Sequence, residues 1–129
     1  MKPINLADFK NALADTDEVQ LTVIDAASGR ETTRPVWFVQ EGETLRLVPV
    51  KGSDSWWFKN VVKTPSIRLA ANDVAITAVA RPTTDPQRVR DVVEKFRAKY
   101  GADDVKKYYS KFDVAVEVPL GRVSTGPDA

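Results

Sequence analysis

The sequence predicts one α+β domain made mainly of β-strands, in which six antiparallel strands close into a small barrel. Three features lead to this prediction. Short segments rich in β-forming residues alternate with turn residues along most of the chain. One short helical segment follows the third of these strands. A longer helical segment then precedes a last strand, and closure into a barrel would leave no exposed sheet edge.

The first half of the chain contains one predicted helix and three predicted strands. Leu6, Phe9 and Leu13 recur at helical spacing, which predicts an N-terminal amphipathic helix over residues 4–14. The strands that follow cover residues 19–26, 34–39 and 44–50, with turn residues at 28–31 and 41–43. Because these connections are short, we expect the three strands to form an antiparallel meander.

The second half begins with a short helix, expected over residues 55–63. Two strands follow at residues 66–70 and 74–80, joined by Asn72-Asp73, a pair that tolerates positive φ. Asp85-Pro86 predicts the start of a long helix and Gly101 its end. A second short helix is expected over residues 102–110, and the alternating residues 112–118 predict the closing strand. Residues 121–129 are polar, and we expect a loose tail.

Composition limits the possible functions. The chain has 129 residues, which suits a single domain over residues 1–129 with its core between about 17 and 120. A net charge of +1 gives no reason to expect binding to nucleic acid or to a membrane. Cysteine and histidine are both absent, which excludes Ser-His-Asp and Cys-His catalysis and zinc sites built from these residues. Without disulfides or an apolar signal segment, we expect a cytoplasmic protein.

The segment around the adjacent tryptophans Trp56 and Trp57 carries the strongest functional signal. Aromatic faces stack on flat rings, while a lysine and the amides of a polar loop, here Lys51 to Ser53, hold anionic groups. Together they predict a site for a flat, anionic ligand. The alternative is that the tryptophans only fill one end of the barrel, because large aromatic residues are usually buried. Adjacent positions on a helix point in different directions, so we expect one indole to pack inward.

A series of motifs over residues 19–120 resembles the split β-barrel flavin- and deazaflavin-binding superfamily. The deazaflavin-dependent nitroreductases are the nearer branch, and the pyridoxamine 5′-phosphate oxidase-like proteins are more distant. The motifs are, in chain order, Gly29-Arg30, Pro35-Val36-Trp37, Lys51-Gly52-Ser53, Trp57-Phe58-Lys59-Asn60-Val61, Thr64-Pro65 and the closing strand Asp113-Val114-Ala115-Val116-Glu117-Val118.

The resemblance implies a split β-barrel that binds a deazaflavin coenzyme or, as second choice, FMN, and transfers hydride to a nitro compound or a quinone. No side chain is then needed as a general base. The resemblance also implies a homodimer. The residues that we expect to bind such a cofactor are Arg34, Trp37, Lys51, Gly52, Ser53, Trp57, Lys59 and Asn60.

Two departures from the family pattern support a different interpretation. Glu31 follows Gly-Arg where the deazaflavin branch has a basic phosphate-binding segment, and Trp57 stands where the flavin branch has a lysine. The alternative is therefore a non-enzymatic small-ligand-binding module that has lost the redox cofactor. For single residues, Lys59 could be an exposed helical lysine and Asn60 could bond across a loop. Tyr108 and Tyr109 could be core or lid residues.

Overall fold

Two antiparallel four-stranded sheets and four helices make up residues 6–120, the part of the chain that this computed structural model describes. The helices α1 to α4 cover Leu6–Ala14, Trp56–Lys63, Pro86–Tyr100 and Ala102–Tyr108. The strands β1 to β8 cover Glu18–Ile24, Glu31–Trp37, Val39–Glu41, Thr44–Leu47, Ser66–Ala71, Val74–Val79, Arg81–Thr83 and Ala115–Pro119. The predicted tail at 121–129 and the predicted helix residues 4–5 lie outside the described residues.

Two long strands pass from one sheet into the other, each through a single residue. The first sheet has the order β2-β1-β5-β6 and the second has the order β3-β4-β8-β7. Phe38 separates β2 from β3, and Ala80 separates β6 from β7. The amide of Ala80 donates to the Pro65 carbonyl at 2.8 Å, so this break in the ladder leaves no unpaired donor.

All six predicted strand positions contain strand, but the arrangement differs from the prediction. The second predicted strand is divided at Phe38. The fifth is followed, after a break at Ala80, by β7, which the sequence did not predict, so there are eight segments in place of six. The segments form two sheets, so the single closed six-stranded barrel is not confirmed. The α+β class and the antiparallel pairing are confirmed.

Two predicted strands are shorter than the sequence suggested, for identifiable reasons. β4 ends at Leu47, because the chain turns at Pro49, whose carbonyl accepts from the Gly52 amide at 3.0 Å. β8 begins at Ala115, three residues later than predicted. Asp113 accepts hydrogen bonds from Ser53 instead of entering the sheet.

The helix boundaries follow the predicted capping residues. The carboxylate of Asp85 accepts from the Arg88 amide at 3.2 Å and Pro86 is the first residue of α3. Gly101 ends α3, as predicted. The Asn72-Asp73 turn has the expected positive φ at both residues, 46° and 71°.

Two apolar clusters hold the elements together. The larger joins the two sheets to α1 and α2, and includes Phe9, Leu21 and Leu69, which are fully buried. The smaller packs α3 and α4 on the second sheet, with Phe96 and Val105 each 1% exposed. Within residues 6–120, no helix is both long enough and apolar enough to cross a membrane.

Candidate functional site

An open slot of about 640 Å³ lies between the end of β2, the loop after β4, the start of α2 and the end of α4. This volume lies within the range of about 300–1,000 Å³ typical of small-molecule sites. Its walls combine aromatic and charged side chains: Trp37, Trp56, Tyr108, Tyr109, Glu18, Arg34, Lys51 and Asp54.

Trp56 supplies the accessible indole of the slot. It is the first residue of α2 and its side chain is 39% exposed. The guanidinium carbon of Arg34 lies 5.4 Å from the centroid of this ring, a cation–π contact that holds the two side chains together. Within residues 6–120, Arg34 has no carboxylate partner, so its charge is available to an anion.

Trp57 points the other way and belongs to the core. It is 4% exposed and packs in the larger apolar cluster, although one edge reaches the slot. The prediction that the two adjacent indoles point in different directions is confirmed. The more accessible of the two indoles in the slot is therefore that of Trp56, which lies outside the family motif.

Trp37 forms the wall of the slot nearest to α3. Its ring stacks on Tyr100 with 4.1 Å between centroids and 7° between planes. The Tyr100 hydroxyl accepts from the Phe38 amide at 3.1 Å and donates to the carbonyl of Asp17, at 2.7 Å. Burial raises the pKa of Tyr100 to about 12. This tyrosine therefore stays protonated at neutral pH, and its ring holds that of Trp37 in place by stacking on it.

Two tyrosines at the end of α4 close the same side of the slot. The ring of Tyr108 meets Trp37 edge-on at 5.7 Å and is 51% exposed. Tyr109 is only 7% exposed, and burial raises its pKa above the ordinary range. Its hydroxyl makes no hydrogen bond with any residue between 6 and 120, so it remains a free donor beside the slot.

Four charged side chains from the described residues line the slot. Arg34 and Lys51 bring positive charge, and in the described part of the chain neither ammonium nor guanidinium is paired with a carboxylate. Asp54 is bonded to Lys111 at 3.1 Å, which offsets its charge. Glu18 lies opposite Trp37 in the β1–β2 register, three residues along β2 from Arg34. Arg34 and Lys51 therefore suit an anion, and Glu18 suits a hydrogen-bond donor.

The loop of Gly52 and Ser53 does not face the slot. The Ser53 amide and hydroxyl donate to the Asp113 carboxylate, at 2.9 and 2.5 Å, and these bonds hold the pKa of Asp113 below its usual range. A Cβ on Gly52 would lie 2.2 Å from Asp113 Oδ1. The donors expected to hold a phosphate are thus already bound to the protein's own carboxylate.

Lys59 and Asn60 also lie away from the slot. Lys59 is exposed on α2 and is not among the residues that line the cavity. Asn60 is 6% exposed; its Oδ1 accepts from the Ala26 amide at 2.8 Å, and its Nδ2 donates to the Trp56 carbonyl at 3.1 Å. Of the eight predicted residues, the slot brings together Arg34, Trp37, Lys51 and Trp57.

Sequence reasoning missed several residues of the slot. Glu18 and Asp54 showed no motif, since their positions depend on strand pairing and on the loop after β4. For Tyr108, the sequence predicted only a core or a lid residue. For Trp56 a signal existed, because a helix that buries Trp57, Phe58 and Val61 must expose the neighbouring position.

Comparisons with known proteins place the chain in a family. A family model described as "uncharacterized protein conserved in bacteria" matches residues 10–117, which include every strand described up to the middle of β8. The chain belongs to the DUF2255 family. No match was found among curated proteins for this DUF2255 member.

Solved structures similar to this DUF2255 chain are split-barrel proteins. An F420-H2-dependent reductase has a TM-score of 0.62 at 20% identity, over 79% of this chain and 93% of that one. A proposed 5-nitroimidazole antibiotic resistance protein from Bacteroides thetaiotaomicron has a TM-score of 0.68 at 12% identity, over 90% and 80%. A proposed pyridoxamine 5′-phosphate oxidase from Listeria innocua has a TM-score of 0.65 at 14% identity, over 88% and 90%.

The resemblance inferred from the sequence is therefore confirmed at the level of fold. The matched structures belong to the split-barrel type that the motifs indicated. At these identities the likeness is one of architecture, since one fold can support several activities. What this chain binds must be argued from its own slot.

Proposed function

We propose that this protein is a flavin- or deazaflavin-binding oxidoreductase that transfers hydride to a small organic acceptor of the nitro or quinone class. The observation that carries this proposal is the slot itself. It combines an accessible indole, that of Trp56, with two cations that lack carboxylate partners between residues 6 and 120. A flat ring bearing an anionic chain matches this combination.

The residues present fit such a cofactor at the ring and at one anionic group. Trp56 offers a stacking face, Trp37 a second aromatic wall, and Arg34 with Lys51 an anchor for phosphate or carboxylate. Glu18, which also lines the slot, can accept a hydrogen bond from a ring N–H. We propose a deazaflavin coenzyme as the first choice and FMN as the second, the order that the sequence resemblance implies.

The chemistry would come from the cofactor, and the protein would bind, orient and protect the reactants. A bound reduced deazaflavin or flavin supplies the hydride, so no histidine or cysteine is required. The protonated Tyr109 hydroxyl, which lines the slot, can donate a hydrogen bond to an acceptor oxygen. The aromatic walls limit the access of water to the reacting atoms.

The direct test is a calorimetric titration of the purified protein with FMN and with the deazaflavin coenzyme. We expect a dissociation constant well below about 1 mM for at least one of them. Trp56→Ala and Arg34→Gln should each weaken binding, whereas Arg68→Gln, an identical change on β5, should not. If neither cofactor binds below about 1 mM, the proposal fails.

Activity is tested separately by mixing the protein with reduced deazaflavin and a quinone or nitro acceptor. We expect the coenzyme to be oxidised faster than in the absence of protein, and the Trp56→Ala variant to lose this acceleration. Binding without any acceleration would support the second candidate, a ligand-binding module without redox chemistry.

The second candidate is supported by the Ser53–Asp113 pair. Because Asp113 takes both donors of Ser53, this loop would have to break two hydrogen bonds before it held a phosphate. A flat ligand with a single carboxylate needs only Arg34 or Lys51. Tight binding of such an acid in the slot, with no binding of either cofactor, would establish this candidate.

We also propose that the protein acts as a cytoplasmic homodimer. Val50, Trp56 and Tyr108 are 43%, 39% and 51% exposed around the slot, and a second copy could cover this apolar rim. Sedimentation should give twice the chain mass, and Tyr108→Glu should shift the protein towards monomer. A monomer at every concentration tested would exclude the dimer without affecting the proposed cofactor.

A further inference from the structure

A second open groove, of about 430 Å³, lies on the other side of α3. One stripe of this helix forms its floor, from Pro86 through Val89 and Val93 to Arg97. The facing wall is Phe112, from the segment that precedes β8. Tyr109 separates the groove from the slot described above, since its ring stacks on Phe112 at 6.2 Å and 16°.

Two guanidinium groups, those of Arg90 and Arg97, line the groove two turns apart on α3. Arg97 lies over the Phe112 ring, 5.6 Å from its centroid, and pairs with Glu94, whose side chain is 63% exposed. An ion pair this exposed contributes little and can be exchanged for another carboxylate. Among residues 6–120, the Arg90 guanidinium bonds only to the neutral side-chain amide of Gln87, at 3.0 Å.

Among the described residues, Asp113 supplies the one carboxylate that lines the groove, and its hydrogen bonds are made outside the groove. Asp113 accepts from the amide and the hydroxyl of Ser53, and Lys111 lies 3.7 Å away. Its negative charge is thus directed towards those partners. The groove therefore presents a net positive charge next to an aromatic ring that is 37% exposed, that of Phe112.

We propose that this groove is a second ligand site, which takes a small carboxylate with a flat apolar body. The carboxylate would bind the guanidinium of Arg97, and that of Arg90 where the molecule is long enough, because this group matches carboxylate geometry with two parallel donors. The flat body would lie over Val93 and beside Phe112, whose ring already contacts Tyr109 and Arg97. This site is independent of the slot and of any redox cofactor.

The test uses the full chain labelled with nitrogen-15 and titrated with sodium benzoate. We expect saturable shifts of the Arg90, Val93, Arg97 and Phe112 amide signals, with a dissociation constant of about 1 mM or lower. Benzyl alcohol has the same flat body without the charge and should bind at least about tenfold more weakly.

Substitutions locate the anion. Arg97→Gln should weaken benzoate binding by about tenfold or more, since it removes a charge-assisted pair. Arg68→Gln on β5 is the matched control and should leave binding unchanged. Amide spectra recorded without benzoate show whether each variant is folded. If Arg97→Gln does not fold, Arg90→Gln serves as the second variant.

Three outcomes would overturn the proposal. Benzoate could shift only the amide signals of Val36 and Trp56, which would place its binding site in the slot. The Arg97→Gln and Arg90→Gln variants could both bind as the Arg68→Gln control does. Benzyl alcohol could bind as well as benzoate, which would leave no role for the guanidinium groups.

Discussion

Tyr100 lies parallel to Trp37, with ring centroids 4.1 Å apart, and its hydroxyl is bonded to the backbone of Phe38, at the sheet break, and to that of Asp17, just before β1. It accepts from the Phe38 amide and donates to the Asp17 carbonyl. Lys99, the preceding residue, donates to the Phe38 carbonyl at 2.8 Å. The end of α3 thus supplies the partners that Phe38 loses where β2 gives way to β3, and it supports one wall of the slot.

Removal of the Tyr100 hydroxyl should weaken the fold while the stacked ring remains. In Tyr100→Phe the Phe38 amide loses its acceptor, and we expect the free energy of unfolding to fall by about 1–3 kcal/mol. Urea denaturation measures this change. Tyr108→Phe is the matched control, because that side chain is 51% exposed, and it should change stability by less than about 0.5 kcal/mol. Equal effects of both substitutions would contradict the role assigned to Tyr100.

The same tyrosine should make stability fall at alkaline pH. Burial raises the pKa of Tyr100 to about 12, above the ordinary value of 10.0, so the folded state holds the proton more tightly than the unfolded state. The stabilisation of the folded state that comes from this difference in pKa is fully present below about pH 10, and it is lost as the pH rises through about 12. Urea denaturation at increasing pH should therefore show that the difference in the free energy of unfolding between wild type and Tyr100→Phe becomes smaller. A gap that stays constant up to pH 12 would be inconsistent with this linkage.

Gly52 should be far less tolerant of a side chain than Gly42. Both have positive φ, 57° and 55°, so alanine at either position should cost about 1–2 kcal/mol from the backbone alone. At Gly52 the added Cβ would also lie 2.2 Å from Asp113 Oδ1, whereas at Gly42 it would meet no heavy atom of residues 6–120 within 4 Å apart from its chain neighbours. We expect Gly52→Ala to lose a further 1–3 kcal/mol or so through this overlap.

Thermal or urea unfolding of the two glycine variants measures the difference directly. Combining Gly52→Ala with Asp113→Ala should recover part of the extra loss, because the overlapping oxygen is then gone. The packing of this loop on Asp113 would be refuted if Gly42→Ala and Gly52→Ala were equally destabilised.

Asn60 should act as a structural residue. Its side chain is 6% exposed and joins the Ala26 amide to the Trp56 carbonyl. Asn60→Ala should reduce the free energy of unfolding by about 1–3 kcal/mol, since the Ala26 amide loses its acceptor. Lys59→Ala, at the exposed neighbouring position, should have little effect. If Asn60→Ala left stability unchanged but abolished ligand binding, Asn60 would belong to the site instead.

Trp56→Ala and Trp57→Ala should separate a ligand-binding indole from a core indole. Trp57 is 4% exposed in the apolar cluster, so its truncation should cost about 3–5 kcal/mol. Trp56→Ala should leave the melting temperature nearly unchanged and reduce ligand affinity. Denaturation experiments and cofactor titrations of both variants measure these effects. If Trp56→Ala were the strongly destabilised variant and Trp57→Ala lost only ligand affinity, Trp56 would not be the accessible wall of the slot.

The positions of the strands, helix caps and turns could be predicted because each depends on neighbouring residues. Asp85 accepts from an amide three residues ahead, and Asn72-Asp73 adopts positive φ within its own turn. The division at Phe38 could not be predicted, because its amide is satisfied by Tyr100, which lies 62 residues away. The sequence contains no local signal for such a partner.

The sequence by itself determined the element order, the absence of cysteine and histidine chemistry, and the likeness to split-barrel proteins. Only the tertiary structure decided which indole faces the slot and which donors remain free. Ser53 had the right chemistry for an anion, yet Asp113, 60 residues later, occupies its donors. The physical reason is that local backbone preferences act between neighbours, whereas the availability of a polar group depends on every segment that packs against it.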